Sequence, residues 1–233
     1  MSVIYINSYQ FAAPTDPYFS NVSLLLHGDG TNGSTTIVDS SLTPKTVTAV
    51  GNAQISTAQS KFGGGSIAFD GNGDYINSPS SPDFAFGTGN FTIELFARFN
   101  QIKDQCLYDT LALGASGARS NGFAWVMQAS GKLNLFHNGQ FRLQSTAILT
   151  TNTWYHLVFY RNGGTFGYFI NGQSDSTVPL SLNLTDSHFT CGTVADNPTS
   201  YFLNGNIDEY RVTKGVARYT ANFTPPTAPF PDA

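Results

Sequence analysis

Pairs of carboxylates are the first residues in this chain that could do chemistry. A retaining glycosidase needs two carboxyl groups roughly 5–5.5 Å apart, and on one strand this requires a spacing of two residues so that both side chains point the same way. Glu94 stands alone in FTIELFARFN, and Asp208 and Glu209 are adjacent, so we expect these two to face opposite sides of a strand. The sequence therefore predicts no catalytic residues and no enzyme, with glycoside hydrolysis as a remote alternative.

Other catalytic and metal-binding motifs are incomplete. The histidines are scattered without HExxH spacing, and GGSIA has Ala68 where a nucleophile elbow needs glycine. In DGNGDY, Asp70, Asn72 and Asp74 match the first ligand positions of a calcium loop, but Tyr75 occupies the position that requires glycine. We interpret DGNGDY as a turn stabilised by Gly and Asx residues, and we assign no metal ligand and no cofactor.

Carbohydrate recognition is the remaining chemistry that the residue types allow. It requires an exposed aromatic ring beside amide or hydroxyl groups. The candidate carbohydrate-binding residues are Trp125, Asn134, Tyr160 and Tyr168. The alternative, that all four belong to the core, stays open because alternation alone does not show which face of a strand meets solvent.

Short segments in which apolar and polar residues alternate predict the strands that position these residues. In FTIELFARFN, apolar and polar residues alternate from Phe91 to Phe99, which predicts a half-buried strand. The same pattern predicts strands at residues 22–26, 67–69, 133–135 and 180–184. Asn-Gly pairs at 138–139, 162–163 and 171–172 are typical of tight hairpin turns. Helical periodicity is absent over any useful length, so the fold class is all-β with antiparallel pairing.

The composition of the chain excludes some classes of binding partner. Charged residues make up 11% of the chain, the net charge is −4, and no run of Lys or Arg occurs, so we expect no nucleic-acid partner. Apolar runs are too short to span a membrane. The N-terminus MSVIYINSYQF lacks a secretory signal pattern. Cys106 and Cys191 are therefore expected to be buried free thiols in a protein that folds in a reducing compartment.

Three regions follow from these patterns. Residues 1–20 alternate only weakly and predict an extended arm that could add a strand to a neighbour. Residues 21–222 form the globular domain. Residues 223–233 form a Pro-rich tail that we expect to run extended over a surface, held by other subunits of a homo-oligomer.

Three stretches resemble the laminin-G-like jelly roll of the concanavalin A-like lectin/glucanase superfamily. They are KFGGGSIAFDGNGDYINSPSSPDFAFGTGNFTIELFARF, TWYHLVFYRNGGTFGYFINGQ and LNGNIDEYRVTKGVARYTANFTPPTAPFP. The resemblance covers residues 22 to about 230 and implies an antiparallel two-sheet sandwich. It also implies that His156 is a packed strand residue and that the first and last strands pair.

That pairing could bring Asp29 near Asp208 at a sheet end, where oxygen ligands would suit calcium. The alternative is that Asp29 shapes the HGDGTNG loop and Asp208 pairs with Arg211 or Lys214. We commit to no metal.

Three segments are also similar to recurring parts of tailed-bacteriophage structural proteins: SLLLHGDGTNGSTTIVDSS, AQISTAQSKFGGGSIAFDG and RVTKGVARYTANFTPPTAPFP. This resemblance implies a virion component, assembled in the host cytoplasm, that decorates the capsid or belongs to the tail or fibre. The arm and tail would contact other virion proteins. The alternative is a carbohydrate-recognition module that binds host surface polysaccharide.

Overall fold

A computed structural model describes residues 15–233, which form two antiparallel β-sheets packed face to face. The all-β class and the sandwich architecture are confirmed. Within the described range the helices are two 3-10 turns, Phe19–Asn21 and Pro82–Phe84, and neither has the length and hydrophobicity that a membrane crossing requires. The strands are β1 Val22–Leu26, β2 Thr48–Val50, β3 Gln54–Ser56, β4 Ser66–Asp70, β5 Tyr75–Ser78, β6 Phe91–Phe99, β7 Gln105–Asp109, β8 Ala124–Met127, β9 Leu133–His137, β10 Gln140–Gln144, β11 Trp154–Asn162, β12 Thr165–Ile170, β13 Gln173–Pro179, β14 Phe189–Cys191 and β15 Asn204–Lys214.

The first and last strands pair, as the family resemblance implies. Sheet I has eight strands in the order β13-β12-β11-β6-β15-β4-β3, and β1 pairs with β15 beside this path. The eleven-residue β15 is long enough to pair with β4 near its start and with β1 near its end. Sheet II has seven strands in the order β10-β9-β8-β7-β14-β5-β2.

Aromatic side chains dominate the core between the sheets. Phe91 and Phe123 stack at 5.8 Å between ring centroids, and Phe159 meets Phe123 edge-on at 5.2 Å. All three are fully buried, and each contributes about 1.5–3 kcal/mol through burial. The two cysteines are buried and free, as predicted, and burial raises the pKa of both thiols.

The Asn-Gly turns are largely confirmed. Asn138 and Asn171 adopt positive φ angles of 49° and 50° and connect β9 to β10 and β12 to β13. The third turn is shifted by one residue, because Asn162 still pairs with Thr165 inside the ladder. The two residues that follow Asn162 are glycines with φ of 55° and 88°, which take this backbone conformation at no steric cost.

The predicted strand over residues 180–184 is wrong. This segment runs irregularly after β13 and makes a single bridge, between Leu184 and Gly87. The guanidinium of Arg161 donates to the carbonyls of Leu182 and Gly87 at 2.9 Å. A buried side chain thus takes backbone acceptors that a sheet ladder would otherwise use.

The C-terminal segment, residues 219–233, lies across the outer face of sheet I. Phe230 is buried against Phe96, and Tyr219 and Phe223 cover Phe169. This cover explains why β6 is buried on both faces, although its alternation predicted a half-buried strand. The Pro-rich tail is held here by the chain's own sheet, where we had expected other subunits to hold it.

The described end of the predicted arm also packs on this sheet, while residues 1–14 lie outside the described range. Asp16 is buried and accepts hydrogen bonds from Arg211 at 3.0 Å and from Arg218 at 2.7 and 2.9 Å. Its backbone N–H donates to the carbonyl of Ala233 at 2.6 Å. The two ends of the described chain are therefore bonded to each other on one face of the molecule.

Candidate functional site

A pocket of about 210 Å³ opens on the outer face of sheet II. Its floor consists of Ala124 and Val126 on β8 and Val194 in the loop after β14, all buried. Trp125 points into the core, so its two neighbours on β8 point outward. Because these outward side chains are small, the sheet surface is recessed at this place.

Aromatic side chains line the pocket. Phe136 on β9 and Phe141 on β10 meet edge-to-face, with ring centroids 5.3 Å apart. The tight turn at Asn138-Gly139 joins their strands and pairs the two residues across the ladder. Phe141 is 46% exposed, so one part of its ring is available to a ligand. Tyr201 adds a third, half-buried ring.

Arg119 contributes a buried charge held by two carboxylates. Its Nε donates to both oxygens of Asp109 at 3.1 Å, and its Nη2 donates to Asp109 and Asp196 at 2.5 Å. Burial disfavours the charge on Arg119, but the hydrogen bonds and the attraction of the two carboxylates outweigh it and raise the pKa of the guanidinium. Arg119 therefore remains charged and fixes the position of Asp196 in the pocket.

Polar groups of the loop between β14 and β15 complete the lining. Asp196 and Asn197 are exposed, and Ser200 donates from Oγ to the carbonyl of Asn197 at 3.1 Å. The carbonyl of Tyr201 accepts the N–H of Cys106 at 2.9 Å, which ties this loop to β7. Burial raises the pKa of the Tyr201 phenol, so its hydroxyl stays a neutral donor and acceptor.

Two residues of the lining have strained backbones. Arg119 and Tyr201 adopt φ of 54° and 57°. Such a conformation costs about 1–3 kcal/mol for a bulky residue and is concentrated at functional sites. Among the described residues with positive φ other than glycine, three are asparagines, which tolerate it, and the remaining one is Glu209. The backbone strain is a second feature, independent of the side chains, that is typical of a functional site.

The predicted carbohydrate-binding residues lie elsewhere or are covered. Trp125 and Tyr168 are fully buried between the sheets, with ring centroids 6.3 Å apart. Tyr160 lies on the outer face of sheet I, where Tyr219 and Phe223 pack against its cluster. Asn134 is on the outer face of sheet II but is buried, and its Oδ1 accepts Gln144 Nε2 at 3.1 Å.

The structure does not bring these four side chains together, and none of them presents an exposed ring. The alternative that they pack within the protein fits their positions. The pocket residues that the sequence analysis missed are on β8, on the hairpin of β9 and β10, and in two loops. For Phe141 a signal existed, since an aromatic residue at an edge hairpin can face solvent. For Arg119 and Asp196 no periodic pattern exists, because loop residues meet only in the folded chain.

Glu94 lies in a buried network beneath the C-terminal segment. Its Oε1 accepts Arg211 at 2.8 and 3.0 Å, and its Oε2 accepts the Tyr219 hydroxyl at 2.8 Å and lies 3.1 Å from His156 Nε2. Burial works against ionisation of Glu94, but the charge of Arg211 and the hydrogen bond to His156 hold its pKa well below the usual range. Glu94 and His156 are packed residues in a charge network, as expected for His156.

Asp208 and Glu209 face the same side, so the prediction that they point apart is wrong. A bulge interrupts the register of β15 at this place, and the residues before and after the pair, Ile207 and Tyr210, both enter the core. Glu209 accepts the backbone N–H of Phe230 at 2.7 Å. Its φ of 52° shows the distortion that turns both carboxylates outward.

Asp208 pairs with neither Arg211 nor Lys214. Its Oδ2 accepts the backbone N–H groups of Lys61 and Phe62 at 2.6 and 3.1 Å. Burial raises the pKa of Asp208 to about 7, against the effect of these two hydrogen bonds. Within residues 15–233, no group of three or more His, Cys, Asp or Glu side chains is arranged to hold a metal ion.

The DGNGDY segment is confirmed as a turn stabilised by its own side chains. Asp74 accepts the backbone N–H groups of Asp70 at 2.7 Å and Asn52 at 2.5 Å, and Asp70 accepts that of Asn72 at 2.8 Å. The carboxylates are thus engaged by backbone donors.

The chain belongs to the concanavalin A-like lectin/glucanases superfamily, because the Laminin_G_3 family model matches residues 70–218, more than half of its length. A search of curated proteins found no match.

Several solved structures share the fold at low sequence identity. Botulinum neurotoxin type C, which interacts with two ganglioside molecules, is 14% identical with a TM-score of 0.63, and the match covers 86% of this chain and 49% of that one. This chain thus spans about half the length of the neurotoxin chains that it matches.

Two further similar structures differ in activity. Domain 4 of AbnA, an extracellular arabinanase from Geobacillus stearothermophilus, was solved in complex with arabinotriose; it is 17% identical with a TM-score of 0.59 over 84% of this chain and 93% of that one. Trypanosoma rangeli sialidase is 15% identical with a TM-score of 0.59 over 88% of this chain and 32% of that one. The shared feature is a lectin-like fold found in binding domains and in enzymes alike.

Proposed function

We propose that this chain is a non-enzymatic, lectin-like binding module that takes a glycan in the pocket on the outer face of sheet II. The observation that carries the proposal is the half-exposed ring of Phe141 beside the polar groups of Asp196, Asn197 and Ser200. Sugars present apolar C–H faces and hydroxyl groups together, and this pocket offers a partner to each.

The similar structures support a glycan ligand. Domain 4 of AbnA matches almost over its full length and was solved with arabinotriose, and the neurotoxin interacts with gangliosides. The cavity of about 210 Å³ is smaller than the roughly 300–1,000 Å³ of pockets for drug-sized ligands, which favours recognition of one sugar ring over an extended chain.

The absence of catalysis is part of this proposal and is supported by the state of the carboxylates. Asp109 is fully buried and bonded to Arg119, and Glu94 is covered by the C-terminal segment on the other sheet. Hydrolysis with retention would require two carboxyl groups facing the scissile bond.

A glycan array followed by calorimetric titration of the strongest ligand tests the proposal. Phe141→Ala removes the exposed ring and should weaken binding by about two- to tenfold, because stacking on an aromatic ring is worth about 0.5–1.5 kcal/mol beyond the buried area. Ile148→Ala is the matched control, since Ile148 is an exposed apolar residue outside the pocket. Failure of the array to find any ligand, or equal losses in both variants, would contradict the proposal.

A second proposal places this module in a tailed-bacteriophage virion, as a capsid decoration or as part of the tail or fibre. The three segments that resemble phage structural proteins meet in one region of the fold. They supply β1, then β3 with β4, and then the end of β15 with the C-terminal segment. The first segment bonds both of the others, because β1 pairs with the end of β15 and the N–H of Gly33 donates to the carbonyl of Ile55 on β3 at 2.8 Å. His27 from the first segment bonds Asp232 at 2.7 Å, just beyond the end of the third.

Particles assembled with and without this protein test the virion role. Mass spectrometry of purified particles should find the chain at a fixed copy number, as expected for a homo-oligomer bound to other virion proteins. Particles lacking it should lose host adsorption or heat stability. Unchanged composition, adsorption and stability would overturn this assignment and leave the glycan-binding proposal untouched.

A further inference from the structure

The charge of the pocket indicates which class of sugar it can bind. We propose that it selects uncharged sugars over those that carry a carboxylate, such as sialic and uronic acids; this inference rests on the proposed glycan-binding function.

Arg119 is the only cation among the residues that line the pocket, and two carboxylates more than neutralise its charge. Asp109 and Asp196 both bind its guanidinium, so the three groups together carry one net negative charge. Arg119 is 3% exposed, and its guanidinium carbon is 5.5 Å from the ring centroid of Phe136. The three charged groups therefore lie in a partly dehydrated environment. Electrostatic repulsion of an incoming anion is stronger there than in bulk water.

Four of the five N–H donors of the Arg119 guanidinium are already used, which leaves one N–H of Nη1 and no free pair for a sugar carboxylate. Nε, Nη1 and Nη2 of Arg119 all donate to the carboxylates of Asp109 and Asp196. Asp109 is also bound by the backbone N–H groups of Leu111 at 3.0 Å and Ala195 at 2.9 Å. A ligand carboxylate would have to displace an internal carboxylate that has several hydrogen bonds of its own, and this makes a two-point contact with the arginine unfavourable.

The remaining surface suits hydroxyl groups. The side chain of Asp196 is one-third exposed and accepts hydrogen bonds only, and Asn197 beside it both accepts and donates. An uncharged sugar can donate its hydroxyls to these oxygens and place a C–H face on Phe141. Its anionic counterpart meets the same acceptors with a repelling charge.

Matched sugar pairs test this selectivity. The methyl glycosides of glucose, galactose and mannose are titrated against the corresponding uronic acids, and lactose against 3′-sialyllactose, with 15N-labelled full-length protein observed by NMR. For at least one pair, the uncharged member should bind at least about fivefold more tightly, and the difference should shrink in 1 M NaCl.

Asp196→Asn should raise the affinity for the acidic member at least about fivefold and change the affinity for the uncharged member less. Asp83→Asn is the matched control, because it makes the same change in net charge outside the pocket lining. Equal or tighter binding of the acidic members by the unaltered protein would overturn the inference and leave glycan binding standing. If no member of any pair binds, the proposed function itself fails and the inference with it.

Discussion

The guanidinium of Arg119 lies 5.5 Å from the ring centroid of Phe136, in cation–π geometry. Arg119 comes from the loop after β7 and Phe136 from β9, so this contact joins a loop to the sheet. The same guanidinium binds Asp109 on β7 and Asp196 in the loop after β14. One buried side chain therefore connects the aromatic and the acidic parts of the pocket, and its substitution should affect both stability and binding.

Arg119→Met should lower the free energy of unfolding by about 3–5 kcal/mol, because it leaves Asp109 buried without a cation. Urea denaturation followed by tryptophan fluorescence measures the change. The double variant Arg119→Met with Asp109→Asn should recover part of the loss, since the uncompensated charge is gone. A double variant less stable than the single one would contradict this account.

Glu94→Gln should lower the free energy of unfolding by about 1.5–3 kcal/mol, the value of hydrogen bonds to a charged group. The loss is moderate because Arg211 keeps its bond to Asp16. Glycan binding should be unchanged, since Glu94 lies in sheet I and the pocket lies on sheet II. Calorimetry of the variant with the ligand found on the array checks this; a large fall in affinity at unchanged stability would give Glu94 a role that the structure does not explain.

Phe230→Ala should destabilise the protein by about 3–5 kcal/mol, as for a large-to-small change in a core. Phe230 is 4% exposed and packs on Phe96, and its ring centroid lies 3.7 Å from the guanidinium carbon of Arg211. The exposed Leu42 supplies a control, Leu42→Ala, for which a change within about 0.5 kcal/mol is expected. Similar small effects in both variants would show that the C-terminal segment is not part of the stable core.

Stability should fall as pH rises from about 6 to about 9. Burial opposes protonation of His27, but hydrogen bonds to Glu209 and Asp232 raise its pKa to about 9. The stability it contributes is therefore complete below its unfolded pKa of about 6.5 and is lost as the pH passes 9. Burial raises the pKa of Asp208 from its usual value of 3.8 to about 7, so a separate fall in stability begins near pH 4 and is complete near pH 7.

Thermal unfolding between about pH 4 and pH 9, in the unaltered protein and in His27→Gln and Asp208→Asn, separates the two effects. Asp208→Asn should flatten the decline below pH 7, and His27→Gln should flatten the decline between about pH 6.5 and pH 9. A parallel decline in all three proteins would show that neither group is responsible.

Local patterns determined the sheet architecture of this protein. Alternation in FTIELFARFN predicted β6, and Asn-Gly pairs predicted the hairpins around β9–β10 and β12–β13, because strand pleat and turn conformation depend on near neighbours in the chain. The buried cysteines and the Asx turn at Asp70–Asp74 also followed from residue type and spacing.

The tertiary structure alone decided what is exposed. Trp125 and Phe141 are both aromatic strand residues, yet one is enclosed between the sheets and the other is partly open to solvent. The C-terminal segment covers Glu94, and a bulge turns Asp208 and Glu209 to the same side. The pocket combines two loops and three strands that are distant in sequence, and such a meeting depends on sheet order and loop path, which no short-range pattern encodes.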